Sequence, residues 1–251
     1  MSVVRISRKS LALLLAFILV VAAGTISWKL GVLPWPAGRP VRVQVIGHGW
    51  WWEFAYPELG FRTANELHVP ENVDIQLELS SVDVLHTFSV PQLAISAQAF
   101  PGKTSRVEFR SPAAGEVGGE CSEICGAAHN MMRVKLVVQT AADFDQWASE
   151  QREPAAAPQT EQQWAGYGFV STACARCHSL DPAETRTDLL GPNLAHLMSR
   201  SVFAGASFNL NETNLRRWLR DTQAMKAGND MIVNLPRDDY AAVVEYLLLL
   251  K

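Results

Sequence analysis

All four cysteines of this 251-residue chain fall in two short stretches, "GGECSEICGAAHNMM" (Gly118–Met132) and "CARCH" (Cys174–His178). No other feature restricts the fold as strongly, because each stretch needs a scaffold that holds several soft donors at fixed separations. Two disulfides would be one use for four cysteines in an oxidising compartment. C-x-x-C-H, and C-x-x-x-C followed by His, are instead spacings that metal and cofactor chemistry uses. The formal charge of -3, from 22 basic and 25 acidic side chains, offers no basic surface for nucleic acid.

The N-terminus reads "MSVVRISRKSLALLLAFILVVAAGTISWKLGVLPWP". Arg5, Arg8 and Lys9 precede an uncharged run from Leu11 to Trp28, and Trp28 and Trp35 stand where interfacial aromatics sit. The expectation is a basic cytoplasmic end and a single transmembrane anchor over residues 1–36, with the rest of the chain across the membrane. A cleaved signal peptide is the alternative, since "VVAAG" offers small residues for cleavage.

From Val41 to Val138, "VRVQVI", "VDIQLELS", "RVEFR" and "RVKLVV" alternate apolar and polar residues, the period of half-buried antiparallel strands. Gly and Pro punctuate them at "YPELG", "HVPEN", "FPGK" and "SPAAGE", which predicts a sandwich or small barrel over 41–140. "EQREPAAAPQTEQQ" has little to bury and predicts a linker over 150–161. Beyond it, over 162–251, the pattern is helical. "NETNLRRWLRDTQAM" begins with a capping Asn, and "PRDDYAAVVEYLLLL" begins with Pro236 and two Asp.

Thiolate, imidazole and thioether together select copper among common metals. One Cys with two His and a Met would suit a mononuclear centre, whereas two thiolates on one tight loop can bridge two ions. Cys121, Cys125, His129 and Met132 supply sulfurs and one imidazole, and the best source of a second imidazole is His86 in "SSVDVLHTFSVP". A four-ligand zinc site leaves Met132 unexplained. His48 and His68 read as structural, and Trp51 and Trp52 as packing.

This loop, with "GHGWWWEF", "NELHVP", "DVLHTFSVP" and "PGKTSRVEF", resembles the dinuclear copper (CuA) domain of subunit II of haem-copper cytochrome c oxidases, over about Val41 to Val138. The resemblance implies a cupredoxin-like Greek-key barrel. It also implies that Cys121 and Cys125 bridge two coppers, that His86 and His129 each bind one, and that Met132 and the Glu123 carbonyl complete the shells. It further implies a magnesium ion shared with subunit I at the Glu123 side chain, and electrons entering at Trp50. Two positions depart from the family pattern: Gln98 stands where an acidic residue is common, and Lys103 where Arg is.

"CARCH" reads as covalent haem attachment, with thioethers from Cys174 and Cys177 and His178 on the iron. Thioredoxin-like chemistry is the rival, disfavoured by the adjacent His and by the absence of a β-α-β pattern. With "GPNLAHLM" and "KAGNDM", residues 162–251 resemble a small all-α class I cytochrome c. That resemblance makes Met231 the sixth iron ligand, with Met198 and Met225 as competitors, and has the Pro192 carbonyl steady the His178 ring. Ile232 departs from the Pro usual after the ligand Met, and His196 reads as a loop residue.

Together the resemblances imply an oxidase subunit II fused to a cytochrome c, anchored in a bacterial cytoplasmic membrane with both redox domains on the periplasmic side. Electrons would pass from cytochrome c or another donor, through haem c and the copper pair, to subunit I, where oxygen is reduced. The family usually has two transmembrane helices in this subunit, where one is expected here. A subunit of a CuA-type nitric oxide reductase, and a stand-alone membrane-anchored electron carrier, are the alternatives.

Overall fold

The computed structural model describes residues 39–251, together with Leu14, Leu15 and Ile18. The expected anchor over 1–36 otherwise lies outside the described residues, among which no helix is long and apolar enough to cross a membrane.

Ten strands form the first domain: β1 (Val41–His48), β2 (Trp51–Tyr56), β3 (Phe61–Ala64), β4 (Glu66–Pro70), β5 (Asp74–Ser81), β6 (His86–Val90), β7 (Ile95–Ala99), β8 (Ser105–Arg110), β9 (Gly115–Cys121) and β10 (Arg133–Gln139). They make two five-stranded sheets, ordered β3-β2-β1-β5-β8 and β4-β10-β9-β6-β7. Pairing is antiparallel except for β1 with β5 and β10 with β4. The alternation read from the sequence sets the inner faces. Ile75, Leu77 and Leu79 of β5, and Val134, Leu136 and Val138 of β10, point into one core, while Asp74 is exposed. β2 is buried along its whole length. Trp52 lies edge-on to Phe88 at 5.2 Å, and Trp51 stacks on His48 at 4.0 Å, so both tryptophans are packing residues. This two-sheet arrangement is the mainly β domain that the strand pattern predicts.

Helix α1 (Ala141–Glu150) closes the end of this core. Thr140 caps it, and Phe144, Trp147 and Ala148, at i, i+3 and i+4, are buried. Trp147 stacks on His68 at 4.2 Å.

The second domain is small and helical: α2 (Glu161–Thr172), α3 (Glu212–Arg220), a single turn α4 (Thr222–Met225) and α5 (Arg237–Leu249), with a short hairpin of β11 (Val202–Phe203) and β12 (Phe208–Asn209). A capping box at Thr160 and Gln163 starts α2, and Asn211 caps α3. α2 crosses α5 so closely that a Cβ on Gly166 would lie 2.1 Å from the Ala242 carbonyl. Val170, Leu215, Leu219, Val243 and Leu247 fill the space between the helices.

The stretch 150–161 is held as well as connected. Gln151 is buried and donates to Ser199, and the Glu153 carbonyl lies 2.9 Å from His196 Nε2. His196 is therefore more than the loop residue its sequence context suggests. It is buried, and its other nitrogen lies 2.9 Å from the Lys251 carbonyl, tying the linker to the C-terminus.

Candidate metal centre

β9 ends at Cys121, and the chain then makes one compact loop before β10 takes over at Arg133. The Cys121 amide donates to the Met132 carbonyl at 2.8 Å, and a single 3-10 turn over His129–Met131 shapes the return. β6 pairs with β9 so that Phe88 faces Cys121, which sets His86 at the mouth of the loop. A Cβ on Gly47 of β1 would lie 2.7 Å from His86 Cδ2, so only glycine leaves room for the ring there.

The six groups expected as copper donors converge. Cys121 Sγ is 3.7 Å from Cys125 Sγ, 3.8 Å from His86 Nδ1 and 3.3 Å from the Glu123 carbonyl. Cys125 Sγ is 3.5 Å from His129 Nδ1 and 3.9 Å from Met132 Sδ. The donor atoms of His86, Cys121 and Cys125 all lie within 4.8 Å of one another, and all three residues are buried. His86 Nε2 meets Asp83 at 2.8 Å, and Asp83 also accepts from the Gly49 and Val84 amides. Asp83 thus aims Nδ1 at the sulfurs, the arrangement by which an outer carboxylate orients a metal-binding imidazole.

The electrostatics suit a cation. The hydrogen bond from Cys125 lowers the Cys121 pKa well below that of a free thiol, against burial, which favours one thiolate in the pair. The shared proton raises Cys125 correspondingly. Burial disfavours the His86 imidazolium, but Asp83 and Cys121 outweigh it and raise its pKa to about 9. A metal would supply the positive charge that the proton supplies here. Two sulfurs flanked by two ring nitrogens, a thioether and a carbonyl are a donor set that suits soft metal ions such as copper.

Trp50 donates its indole N–H to the Cys125 carbonyl at 3.0 Å, so it braces the same loop. Burial pulls the Lys226 pKa down to about 7. The Lys226 ammonium nevertheless lies near three carbonyls, a number that only the protonated amine can satisfy by donation.

In the helical domain, α2 runs into a 3-10 turn over Cys174–Arg176, and the Cys177 and His178 amides both donate to the Cys174 carbonyl at 3.0 Å. His178 Nδ1–H donates to the Pro192 carbonyl at 2.7 Å, as the family resemblance anticipates, leaving Nε2 free as a ligand. Burial lowers the His178 pKa, which keeps the ring neutral. The Met231 thioether lies 3.2 Å from Trp218 Nε1, and its amide donates to Asn229. Met198 instead packs against the helical core. Arg200 is buried with Nε lacking a hydrogen-bond partner, and its charge is felt at His178. The carboxylates of a porphyrin are the kind of acceptor that donor needs. The residues present therefore fit a covalent haem.

These features define a class of protein whose first domain offers a soft-metal cage and whose second offers a C-x-x-C-H attachment sequence. Residues 60–141 match the family model "Cytochrome C oxidase subunit II, periplasmic domain", and residues 165–251 match "Cytochrome c". The barrel is thus similar to the periplasmic domain of cytochrome c oxidase subunit II, and the helical domain to cytochrome c. Cytochrome c oxidase subunit 2 of Alkalihalophilus pseudofirmus is 32% identical over 217 residues, covering 84% of this chain and 61% of that protein. The subunit 2 of Bacillus subtilis is 30% identical over 221 residues, covering 83% and 62%. The chain therefore spans about three fifths of these relatives. The periplasmic domain of cytochrome oxidase subunit II from Bradyrhizobium japonicum is 28% identical, with a TM-score of 0.43 over 45% of this chain and 93% of that one.

Proposed function

We propose that the chain is the donor-side subunit of a bacterial haem-copper cytochrome c oxidase. It relays single electrons from cytochrome c or a similar donor, by way of its helical domain and then its barrel, to subunit I, where oxygen becomes water. The observation that carries this reading is the convergence of His86, Cys121, Cys125, His129, Met132 and the Glu123 carbonyl on one buried loop.

In this reading Cys121, Cys125, His86, His129, Met132 and the Glu123 carbonyl would together hold a copper pair. Cys174, Cys177, His178 and Met231 would hold a covalent haem. When bound, the copper pair and the haem accept and release one electron at a time. The protein contributes rigidity: strands fix the copper donors, and Asp83, Pro192 and Trp218 orient His86, His178 and Met231. The Glu123 side chain would contribute to a magnesium site at the subunit I boundary, and Trp50, where the helical domain meets the copper loop, would be the point of electron entry. Residues 1–36 anchor the chain in the cytoplasmic membrane, with both domains on the outer side.

Purification in detergent tests the assignment. The chain should bring with it a multi-span subunit carrying two further haems, and the complex should consume oxygen with reduced cytochrome c. Cys121→Ser should abolish that consumption while the subunits still associate. Consumption of nitric oxide in place of oxygen would replace the oxidase assignment, and isolation of the chain alone would sink it.

A further inference from the structure

The two domains are joined by more than the segment between them. Lys226, in the turn ahead of Met231, is 3% exposed, and its ammonium lies 2.7 Å from the Trp50 carbonyl, 2.9 Å from that of Met131 and 3.0 Å from that of Ala204. The first two belong to the barrel: Trp50 braces Cys125, and Met131 adjoins Met132. The reverse arrangement occurs at Glu66 of β4, which is also 3% exposed. One of its carboxylate oxygens accepts from the Ser201 amide at 2.7 Å, the Ser201 hydroxyl at 2.6 Å and the Val202 amide at 2.9 Å. Each domain inserts one buried charge into a polar cage to which the other contributes.

The seam is also sterically tight. A Cβ on Gly205, whose φ is +74°, would lie 2.5 Å from the Met131 carbonyl and 2.6 Å from Lys226 Nζ, and one on Gly228 would lie 2.6 Å from Ala127 Cβ. The Arg133 amide crosses the seam to the Gly205 carbonyl at 2.8 Å, and Arg62 reaches the carbonyls of Pro182 and Thr185. Domains within one chain move relative to each other by default. A buried charge is costly unless all its partners are in place, so two such charges penalise every partly docked arrangement.

We propose that Lys226 and Glu66 are reciprocal docking residues that lock the helical domain onto the copper loop, making Lys226 a positioning residue for electron transfer between the domains. The docking stands on these contacts alone, and only its purpose rests on the function proposed above. Because Lys226 lies between Trp50 and Met131 on one side and the Met231 turn on the other, it fixes the separation of the two redox sites.

Hydrogen exchange on the haem-loaded full chain in detergent tests this, with Lys226→Met, Lys226→Ala and Gly205→Ala compared with the parent. The Ser201, Val202 and Arg133 amides should exchange at least about tenfold faster in each variant. Amides within α2, α5 and the β1–β5 pair should be unchanged, as should the haem spectrum. Added n-propylammonium should restore protection in Lys226→Ala and not in Gly205→Ala, a difference that general destabilisation would not produce. Unchanged exchange at the seam would overturn the proposal, and so would equal acceleration in α2 and α5, which would make Lys226 a residue of the helical fold. No copper is needed, so failure here leaves the copper reading intact, and a mononuclear copper spectrum would leave the docking intact.

Discussion

The barrel gathers its proposed metal donors with its own strands, whereas the helical domain holds His178 and Met231, the proposed iron ligands, on separate supports. Four of the five proposed donor side chains, and the Glu123 carbonyl, lie between the end of β9 and the start of β10, and the fifth side chain, His86, is delivered by a neighbouring strand. Around them lies a continuous core that includes Trp52, Phe88, Leu77 and Leu136. By contrast, between the end of α2 and the start of α3 the described chain has only single 3-10 turns and two-residue strands. Pro192 holds His178, and Trp218 holds Met231. The difference teaches that the barrel is a finished scaffold to which metal would be added, whereas in the proposed function a porphyrin would complete the helical domain's interior.

The largest effect that could break this contrast comes from removing haem attachment. Cys174→Ser with Cys177→Ser should abolish the helical domain's calorimetric transition and leave the barrel's in place. A helical transition at its parent temperature would mean that domain is complete without the group. Cys125→Ser should cost the barrel only about 1–2 kcal/mol and lower its midpoint by roughly 5–10 °C, while eliminating bridged copper. The two sets of variants together show which scaffold depends on its cofactor.

Met231→Leu sharpens the same comparison within the helical domain. It leaves Trp218 Nε1 without its partner, a cost of about 1–3 kcal/mol, and should open the reduced iron to carbon monoxide, read from the optical spectrum. Gly47→Ala should push the His86 ring aside and weaken copper retention roughly tenfold, measured by competition with a chelator, with the barrel still folded.

The smallest effect concerns acid. Burial would raise the Glu66 pKa, but hydrogen bonds from His68 and Ser201 outweigh it and hold it below its usual value. A depressed carboxyl pKa contributes stability above the unfolded value, and that stability is lost as pH falls through the folded one. The two domain transitions should therefore separate as pH drops below about 4, and Glu66→Gln should flatten this dependence by about 1 kcal/mol. His68 and Arg200 face the same carboxylate, so calorimetry of His68→Gln is the control.

What the sequence disclosed follows from how local each feature is. The strands announced themselves through alternation in "VDIQLELS" and "RVKLVV", and most copper donors were legible because twelve consecutive residues carry them. His86 was legible only as a histidine at a strand end, and the pairing of β6 with β9 supplies the reason it belongs to the site. The α1 helix is signalled only by the cap at Thr140 and the helical spacing of Phe144, Trp147 and Ala148, a short pattern beside the linker. Lys226 and Glu66 could not be singled out. A lone charge is ordinarily solvated, and only the meeting of two domains distant in sequence buries these. His196 was hidden for the same reason, since its partners are Glu153 and Lys251.

The central claim is that one loop holds two bridged coppers beside a covalent haem. Paramagnetic resonance with an optical spectrum, on the full chain loaded with copper and haem, tests it most directly. The expected result is one unpaired electron split equally by two copper nuclei, alongside a low-spin haem signal. A signal split by a single copper nucleus would contradict the account, and the barrel would then be a scaffold for a different centre.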